Sequence, residues 1–364
     1  MKNKKTLVIA IVAVVVVVAV VLGVVLAGGN NTNGGTTTQP TNTEKTYTLG
    51  MGIVTDLNSS ADGAAQVDAT VAAVVLDAQG KIVACRLDAV QNKATVANGT
   101  YTITNLKTKM ELGDDYNMAK YGQSMDWNGD GKVLEWYDQA KAFENYVVGM
   151  TAAQVEAIAT KTVESSGYII AADDALLSAG CTIQITDFKA AVVKACKDEF
   201  KTSFKSTGNF KLGVAADSFD SESTATSVKM HADFAASVVV NGKIVASLND
   251  AIQPEITFDA TGKLVDKKFS ATKRELKEDY NMAKYGQSMD WNGDGKVLEW
   301  YQQSAAFSAH VVGMTAAQVN AMPTKTVESS GYIISSDNTL LSAGCTIQIT
   351  SMKAVVAESV TNAR

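Results

Sequence analysis

The first strong pattern along the chain is an unbroken apolar run. Leu7 to Ala27 consists of Val, Ala, Leu and Ile with one Gly, directly after the basic start Met1-Lys2-Asn3-Lys4-Lys5. About 20 apolar residues span the ~30 Å hydrocarbon core of a bilayer. The run has no polar face, unlike the apolar stripe of a surface helix. A cationic flank stays cytoplasmic, so the rest of the chain is expected outside. An anchor at 1–27 is the first expectation. A cleaved secretory signal is the alternative, because Val25-Leu26-Ala27 offers small residues for a signal peptidase.

Leu26-Ala27-Gly28-Gly29 looks like a lipoprotein box with Gly29 in the place of the lipid-bearing Cys, so no thioether anchor is expected. Residues 28–45 are rich in Gly, Asn and Thr without periodicity, and predict a flexible tether.

Beyond the tether the pattern becomes two-residue alternation. Thr46 to Val54, Val67 to Val75, Lys81 to Leu87 and Thr100 to Leu106 predict strands, with Asp77-Ala78-Gln79-Gly80 as a hairpin turn. Later the spacing turns helical. Trp136, Ala140, Phe143 and Val147 share one face of a helix over 135–148. Thr151 and Gln154 have capping-box spacing at the start of a short helix, and Thr186 is placed to cap a last one. Strands first and helices after them predict an α+β fold with antiparallel sheets.

This plan occurs twice. Residues 115–137 recur unchanged at 279–301, 160–170 at 324–334 and 176–186 at 340–350, an offset of 164 residues. Solenoid repeats are about 20–50 residues, so this period predicts two tandem duplicated domains, at 46–203 and 204–364. The segments before the identical stretches have drifted apart, leaving an outline such as VDATVAAVVLDAQGKIVACRL against ADFAASVVVNGKIVASL.

Composition narrows the function classes. The 364 residues are 46% apolar and 19% charged, with a net charge of −6, which excludes global disorder. Lys2, Lys4 and Lys5 precede the apolar run, so the part beyond it is three charges more negative than the whole chain. An acidic exterior makes nucleic acid an unsuitable partner and suits hard cations. His231 and His310 are the only histidines, too few for a His-based metal site in each repeat or a repeated His-dependent triad. No Walker loop, G-x-G-x-x-G or G-x-S-x-G occurs.

One motif suits such a cation. Asp126-Trp127-Asn128-Gly129-Asp130-Gly131-Lys132, repeated at Asp290 to Lys296, places oxygen donors at alternate positions with Gly at the sixth. Calcium takes six to eight oxygens, and a sharply turned loop converges them. The segment resembles the EF-hand and dockerin calcium loop. That resemblance implies side-chain ligands at Asp126, Asn128 and Asp130 and a backbone carbonyl at Lys132. In the second copy they are Asp290, Asn292, Asp294 and Lys296. The twelfth position, normally Glu, holds Tyr137 and Tyr301. A shortened loop closed by Glu135 or Glu299 is expected instead. The alternative is an Asx-rich turn that starts a helix without metal.

The hairpin with D-x-x-G-K-I-V, the helical middle and the turns Ser178-Ala179-Gly180-Cys181-Thr182 and Ser342-Ala343-Gly344-Cys345-Thr346 resemble extracytoplasmic FMN-binding domains. Their S-G-A-T motif takes the flavin through a phosphoester on Thr. The resemblance implies Ser178, Gly180 and Thr182, with Ser342, Gly344 and Thr346, as cofactor-binding residues. Trp136, Tyr137, Trp300 and Tyr301 would be the aromatics available to stack on the ring or to fill the core. Cys181 and Cys345 replace the motif's Ala, and Leu176 and Leu340 replace its upstream Asp. A fold kept without cofactor stands beside flavin binding.

Four Cys lie beyond the apolar run, and only Cys345 falls in the second repeat. A disulfide common to both repeats is impossible, a Cys85–Cys196 bridge is open, and buried free thiols are the default. The functional expectation is a membrane-anchored extracellular calcium-binding protein serving electron transfer or ligand binding. A structural surface protein that self-associates into a coat or filament, stiffened by calcium, is the alternative.

Overall fold

Strand β2 (Ala64–Leu76) is buried on both faces. Its odd-numbered residues from Ala65 to Val75 enter one core, while Ala72, Val74 and Leu76 enter another, as the two-residue period of a strand requires. It forms the centre of an antiparallel sheet with β1 (Lys45–Asp56), β3 (Ile82–Ala97), β4 (Thr100–Thr104) and β7 (Thr202–Ser206), in the order β4-β3-β2-β1-β7. The β2–β3 turn is the one expected. The Asp77 carboxylate accepts from the N–H groups of Gln79 and Lys81 at 2.9 Å each, and Gly80 supplies a φ of +72°.

The structure is a computed structural model and describes residues 43–118, 131, 133–282, 290, 293, 295 and 297–364. The expected membrane segment at 1–27 lies outside these. Among the described residues no helix is long and apolar enough to cross a membrane. Thr43–Arg364 forms one compact unit.

The second sheet has the same plan. β9 (Ser227–Val240) is flanked by β8 (Lys211–Asp220) on one side. On the other run β10 (Lys243–Ile252) and β11 (Glu255–Phe258) in succession, with β12 (Leu264–Lys268) beyond β11. β10 and β11 together correspond to the unbroken β3. Gln253-Pro254 separates them, because proline has no N–H to give to the ladder.

Helices follow each sheet in the same order. In the first half these are α1 (Lys109–Leu112), α2 (Trp136–Tyr146), α3 (Ala152–Glu156), α4 (Asp174–Ser178) and α5 (Thr186–Lys197). In the second they are α6 (Lys273–Leu276), α7 (Trp300–His310), α8 (Ala316–Asn320), α9 (Asn338–Ser342) and α10 (Thr350–Thr361). The small hairpins β5 (Thr160–Thr162) with β6 (Ile169–Ala171), and β13 (Thr324–Thr326) with β14 (Ile333–Ser335), complete the list. Thr151 and Gln154 form the expected capping box on α3. Thr186 differs from its expected role. It is the first residue of α5, and Ile185 stands at the cap without a side-chain bond.

α5 packs on β1 and β2, and α10 on β8 and β9. Glycines admit them. A Cβ on Gly50 would lie 2.1 Å from the Ala195 carbonyl oxygen, and one on Gly213 would lie 1.8 Å from that of Ser359. The opposite faces of the two sheets meet in a common core, where Leu49, Val71 and Val75 join Leu212, Val214 and Phe234. The layers therefore run helices, sheet, sheet, helices. Besides the separate cores under each helix layer, the two halves share this central one. Each large apolar side chain fully buried there contributes about 1.5–3 kcal/mol relative to exposure.

Candidate binding site

The proposed calcium ligands Asp126, Asn128, Asp130, Lys132, Asn292, Asp294 and Lys296 lie outside the described residues. Glu135 and Glu299 do not, and each ties the two ends of its loop. Both Glu135 oxygens accept from the Met118 N–H, at 3.1 and 3.0 Å, and Glu299 Oε2 accepts from that of Met282 at 2.9 Å. Each Glu also stands at the N-cap of the following helix, where negative charge is favoured.

Asp290, at the first loop position, accepts from the Gly295 N–H through Oδ2 at 3.0 Å. Gly295 has a φ of +73°, a conformation that glycine adopts without strain. Asp290 Oδ1 is buried without a hydrogen-bond partner. A buried, unpaired carboxylate oxygen is costly, and a hard cation would satisfy it, so this donor fits the expected metal. Among the described residues no group of three or more His, Cys, Asp or Glu is arranged to hold one.

The Ser-Ala-Gly-Cys-Thr turns are structural braces. Thr182 is 4% exposed, and its N–H and Oγ1 both meet Gln139 Oε1, at 2.9 and 3.2 Å. Thr346 does the same with Gln303, at 2.8 and 3.2 Å. Gly180 has a φ of +99°, and a Cβ there would lie 2.4 Å from Leu134 Cδ1; Gly344 faces Leu298 in the same way. The side chain of Leu134 or Leu298 packs against the glycine of the turn, and the Thr hydroxyl that would carry the phosphoester is buried and bonded to the Gln amide. Ser178 and Ser342 end the short helices α4 and α9. In this arrangement the turns do not fit an attached flavin phosphate. The aromatics are also engaged elsewhere. Trp136 and Trp300 are core residues, Tyr137 donates to Asp114 at 3.0 Å, and Tyr301 donates to Glu278 at 2.9 Å.

A different site opens between each sheet and its helices. In the first half a cavity of about 340 Å³ is lined by Asp68, Lys109, Tyr116, Trp136, Tyr168 and Gln184, among others. In the second half a cavity of about 310 Å³ is lined by the corresponding His231, Lys273, Tyr280, Trp300, Tyr332 and Gln348, together with Asp233. Met118 with Trp136, and Met282 with Trp300, line these cavities and also bracket the two loops.

The lysines are the unusual feature. The Lys109 ammonium stands 5.0 Å from the Tyr116 ring centre and 5.6 Å from that of Trp136. That of Lys273 stands 5.1 Å from Tyr280 and 5.4 Å from Trp300. Such cation–π contacts favour the charge without giving it an acceptor. Lys273 is 6% exposed, and burial lowers its ammonium to about 8 against the pull of Asp233 and Asp250. Burial lowers Lys109 too, opposed first by Asp68 and Asp187.

Acceptors lie across the same cavities. Asp233, 4% exposed, takes the His231 ring nitrogen at 3.3 Å on Oδ1, while its Oδ2 is buried without a hydrogen-bond partner. Burial would raise this carboxyl, but His231 and Lys273 hold it below the usual range. His231 stacks on Phe219 at 4.6 Å, and burial with the nearby Lys273 keeps the ring toward its neutral form. In the first cavity burial raises Asp187, and Asp56 and Asp68 add to the effect.

Sequence reasoning singled out none of these lysines. Lys109 and Lys273 sit in the first turn after a capping Thr, a position that reads as solvated surface. The signal was their placement before the identical stretches, seven residues ahead of Tyr116 and Tyr280.

All four cysteines are buried free thiols. Burial pushes Cys181 and Cys345 up to about 12 and Cys196 to about 11, so none is an activated thiolate. Comparison with protein-family models, with curated proteins and with solved structures finds no match.

Proposed function

We propose that this chain is a membrane-anchored, outward-facing cell-surface protein of two tandem duplicated domains. Each domain is a small-ligand binding module braced by a calcium loop. One observation carries the reading: in both halves a Glu carboxylate clamps the loop onto a Met whose neighbours in space form the cavity wall, Glu135 on Met118 and Glu299 on Met282. The buried, unpaired Asp290 Oδ1 supports a cation in the loop. Asp126, Asn128, Asp130 and the Lys132 carbonyl would hold it in the first loop, with Asn292, Asp294 and the Lys296 carbonyl joining Asp290 in the second. Bound calcium would fix the loop ends and with them the cavity walls. Electron transfer through an attached flavin is left aside, since Thr182 and Thr346 are buried and bonded.

The test is calcium titration by calorimetry, with thermal melts in calcium and in chelator. Binding heat with a higher melting temperature in calcium is expected, weakened by Asp290→Asn. No heat together with superimposable melts would remove the calcium loop. A second reading, a self-associating structural protein, draws on apolar side chains exposed in both halves, among them Val133 and Ile169, Val297 and Ile333. Regular polymers formed on adding calcium would favour it.

A further inference from the structure

We propose that the two cavities are binding sites for a neutral polyhydroxylated ligand, one sugar residue in each half. The inference rests on the reading of the domains as ligand-binding modules and names the class of ligand.

Three features common to both cavities define it. Each presents a lysine ammonium that makes no hydrogen bond or ion pair among the described residues and is held against two aromatic rings. Lys273 is more than nine-tenths buried, and a buried charge without an acceptor is costly. The cavity side is where an acceptor can reach it. Each cavity also presents a carboxylate from the central strand or its immediate neighbourhood. In the second this is Asp233, with one oxygen buried and unpaired. In the first it is Asp68. Finally, each has a tyrosine in its lining that is otherwise well exposed, Tyr168 at 44% and Tyr332 at 43%. Such a ring offers a flat apolar face.

The differences between the cavities select the ligand's charge. Asp56, Asp68 and Asp187 line the first cavity together with Lys109, so an anion is repelled there. The second has His231 and Ser351 beside Lys273 and Asp233, and its other lining carboxylate, Glu222, is largely exposed and paired with Lys229 at 3.8 Å, so a cation gains less there. A hydroxyl donates and accepts at once. Neighbouring hydroxyls on a sugar can therefore accept from the lysine and donate to the carboxylate while a C–H face packs on the tyrosine. Gln184 and Gln348, whose amides both donate and accept, extend the same pattern.

The experiment uses the full chain in detergent with glucose and N-acetylglucosamine as probes, and glucuronate and glucosamine as charged controls. Binding is read by saturation-transfer NMR and by tryptophan fluorescence. The neutral sugars are expected to bind with two sites. Lys273→Met and Lys109→Met should each remove one site, weakening it roughly 10- to 100-fold, the loss of a hydrogen bond to a charged group. Some loss of stability is expected in both, because Asp68 and Asp187 about Lys109 and Asp233 and Asp250 about Lys273 lose their opposing charge, so binding is compared at a temperature where each variant is folded. Asp68→Asn and Asp233→Asn give the same readout with no change in volume. Absence of neutral-sugar binding, binding of a charged control alone, or full affinity in the double lysine variant would overturn the proposal. Calcium-dependent melting measured without sugar reports separately on the calcium loop, so either idea can fail while the other stands.

Discussion

Arg274 donates from Nη2 to both carboxylate oxygens of Asp198, at 2.8 and 2.9 Å, with both side chains buried. The pair joins the segment after α5 in the first half to α6 in the second. Asp198 also accepts from the N–H groups of Met51 and Phe200, and the guanidinium lies 4.6 Å from the Phe200 ring centre. Removing one member of a buried pair leaves the other charge uncompensated. Arg274→Ala is expected to destabilise the protein by about 3–5 kcal/mol. Asp198→Ala should cost a similar amount, and the double variant less than the sum. Denaturant melts of the four proteins check this, and additive losses would contradict the coupling.

Gly213 faces α10 so closely that a Cβ would meet the Ser359 carbonyl oxygen at 1.8 Å. Backbone cannot rotate away as a side chain can. Gly213→Ala should therefore cost at least about 1–3 kcal/mol, the range for overpacking, and Gly50→Ala a comparable amount against α5. Thermal unfolding of the two variants would show it. Unchanged melting would mean that the helices lie farther from the sheets than described.

Two buried carboxyls make stability depend on pH. Burial raises Asp88 to about 7 and Asp250 to about 6, the latter against the pull of Arg274. A carboxyl raised in the folded state favours folding while protonated, and that contribution is lost as pH rises through its folded value. These two groups therefore lower stability progressively between about pH 4 and about pH 7. Asp88→Asn keeps an oxygen for the Ala89 and Met110 N–H groups, which the carboxylate takes at 2.7 and 3.2 Å. It should flatten that part of the profile. Unfolding followed against pH in wild type and Asp88→Asn compares the slopes; identical slopes would rule out this role.

Thr182→Val and Thr346→Val remove the hydroxyls that meet Gln139 and Gln303 while keeping shape. Each should cost about 0.5–1.5 kcal/mol, the worth of one hydrogen bond, since the backbone N–H still reaches the same amide oxygen. The visible spectrum of the purified chain should be the same before and after. Loss of a yellow absorbance in the variants would instead reinstate the flavin on these hydroxyls.

Local instructions were the readable part of the sequence. Thr151 and Gln154 are three residues apart, and the turn at Asp77–Gly80 is made by its own side chain and glycine, so no distant contact is needed to place them. The strands were legible by alternation, although β3 runs to Ala97 rather than Leu87, because Val90, Ala94 and Val96 still alternate inward. The strand at Val67 to Val75 was legible, but not its burial on both faces; the cover of the second face, Phe234 with its neighbours, is more than 150 residues away. The cavities escaped notice for the same reason. Asp68, Lys109, Trp136 and Tyr168 are separated along the chain by dozens of residues, and only the sheet-and-helix packing gathers them. The Ser-Ala-Gly-Cys-Thr turn was visible as a motif, but its burial under Leu134 was not.

The common core between the sheets also sets an order of events during synthesis. When the ribosome has completed β1 to β4, the row from Leu49 through Val71 to Val75 has nothing to rest against. Its cover lies in β8, β9 and β10, which emerge only after the whole first helical layer. For that interval the nascent chain carries a broad oily face, where wrong pairings and aggregation begin. The second sheet is made with its template already present and can dock as it forms.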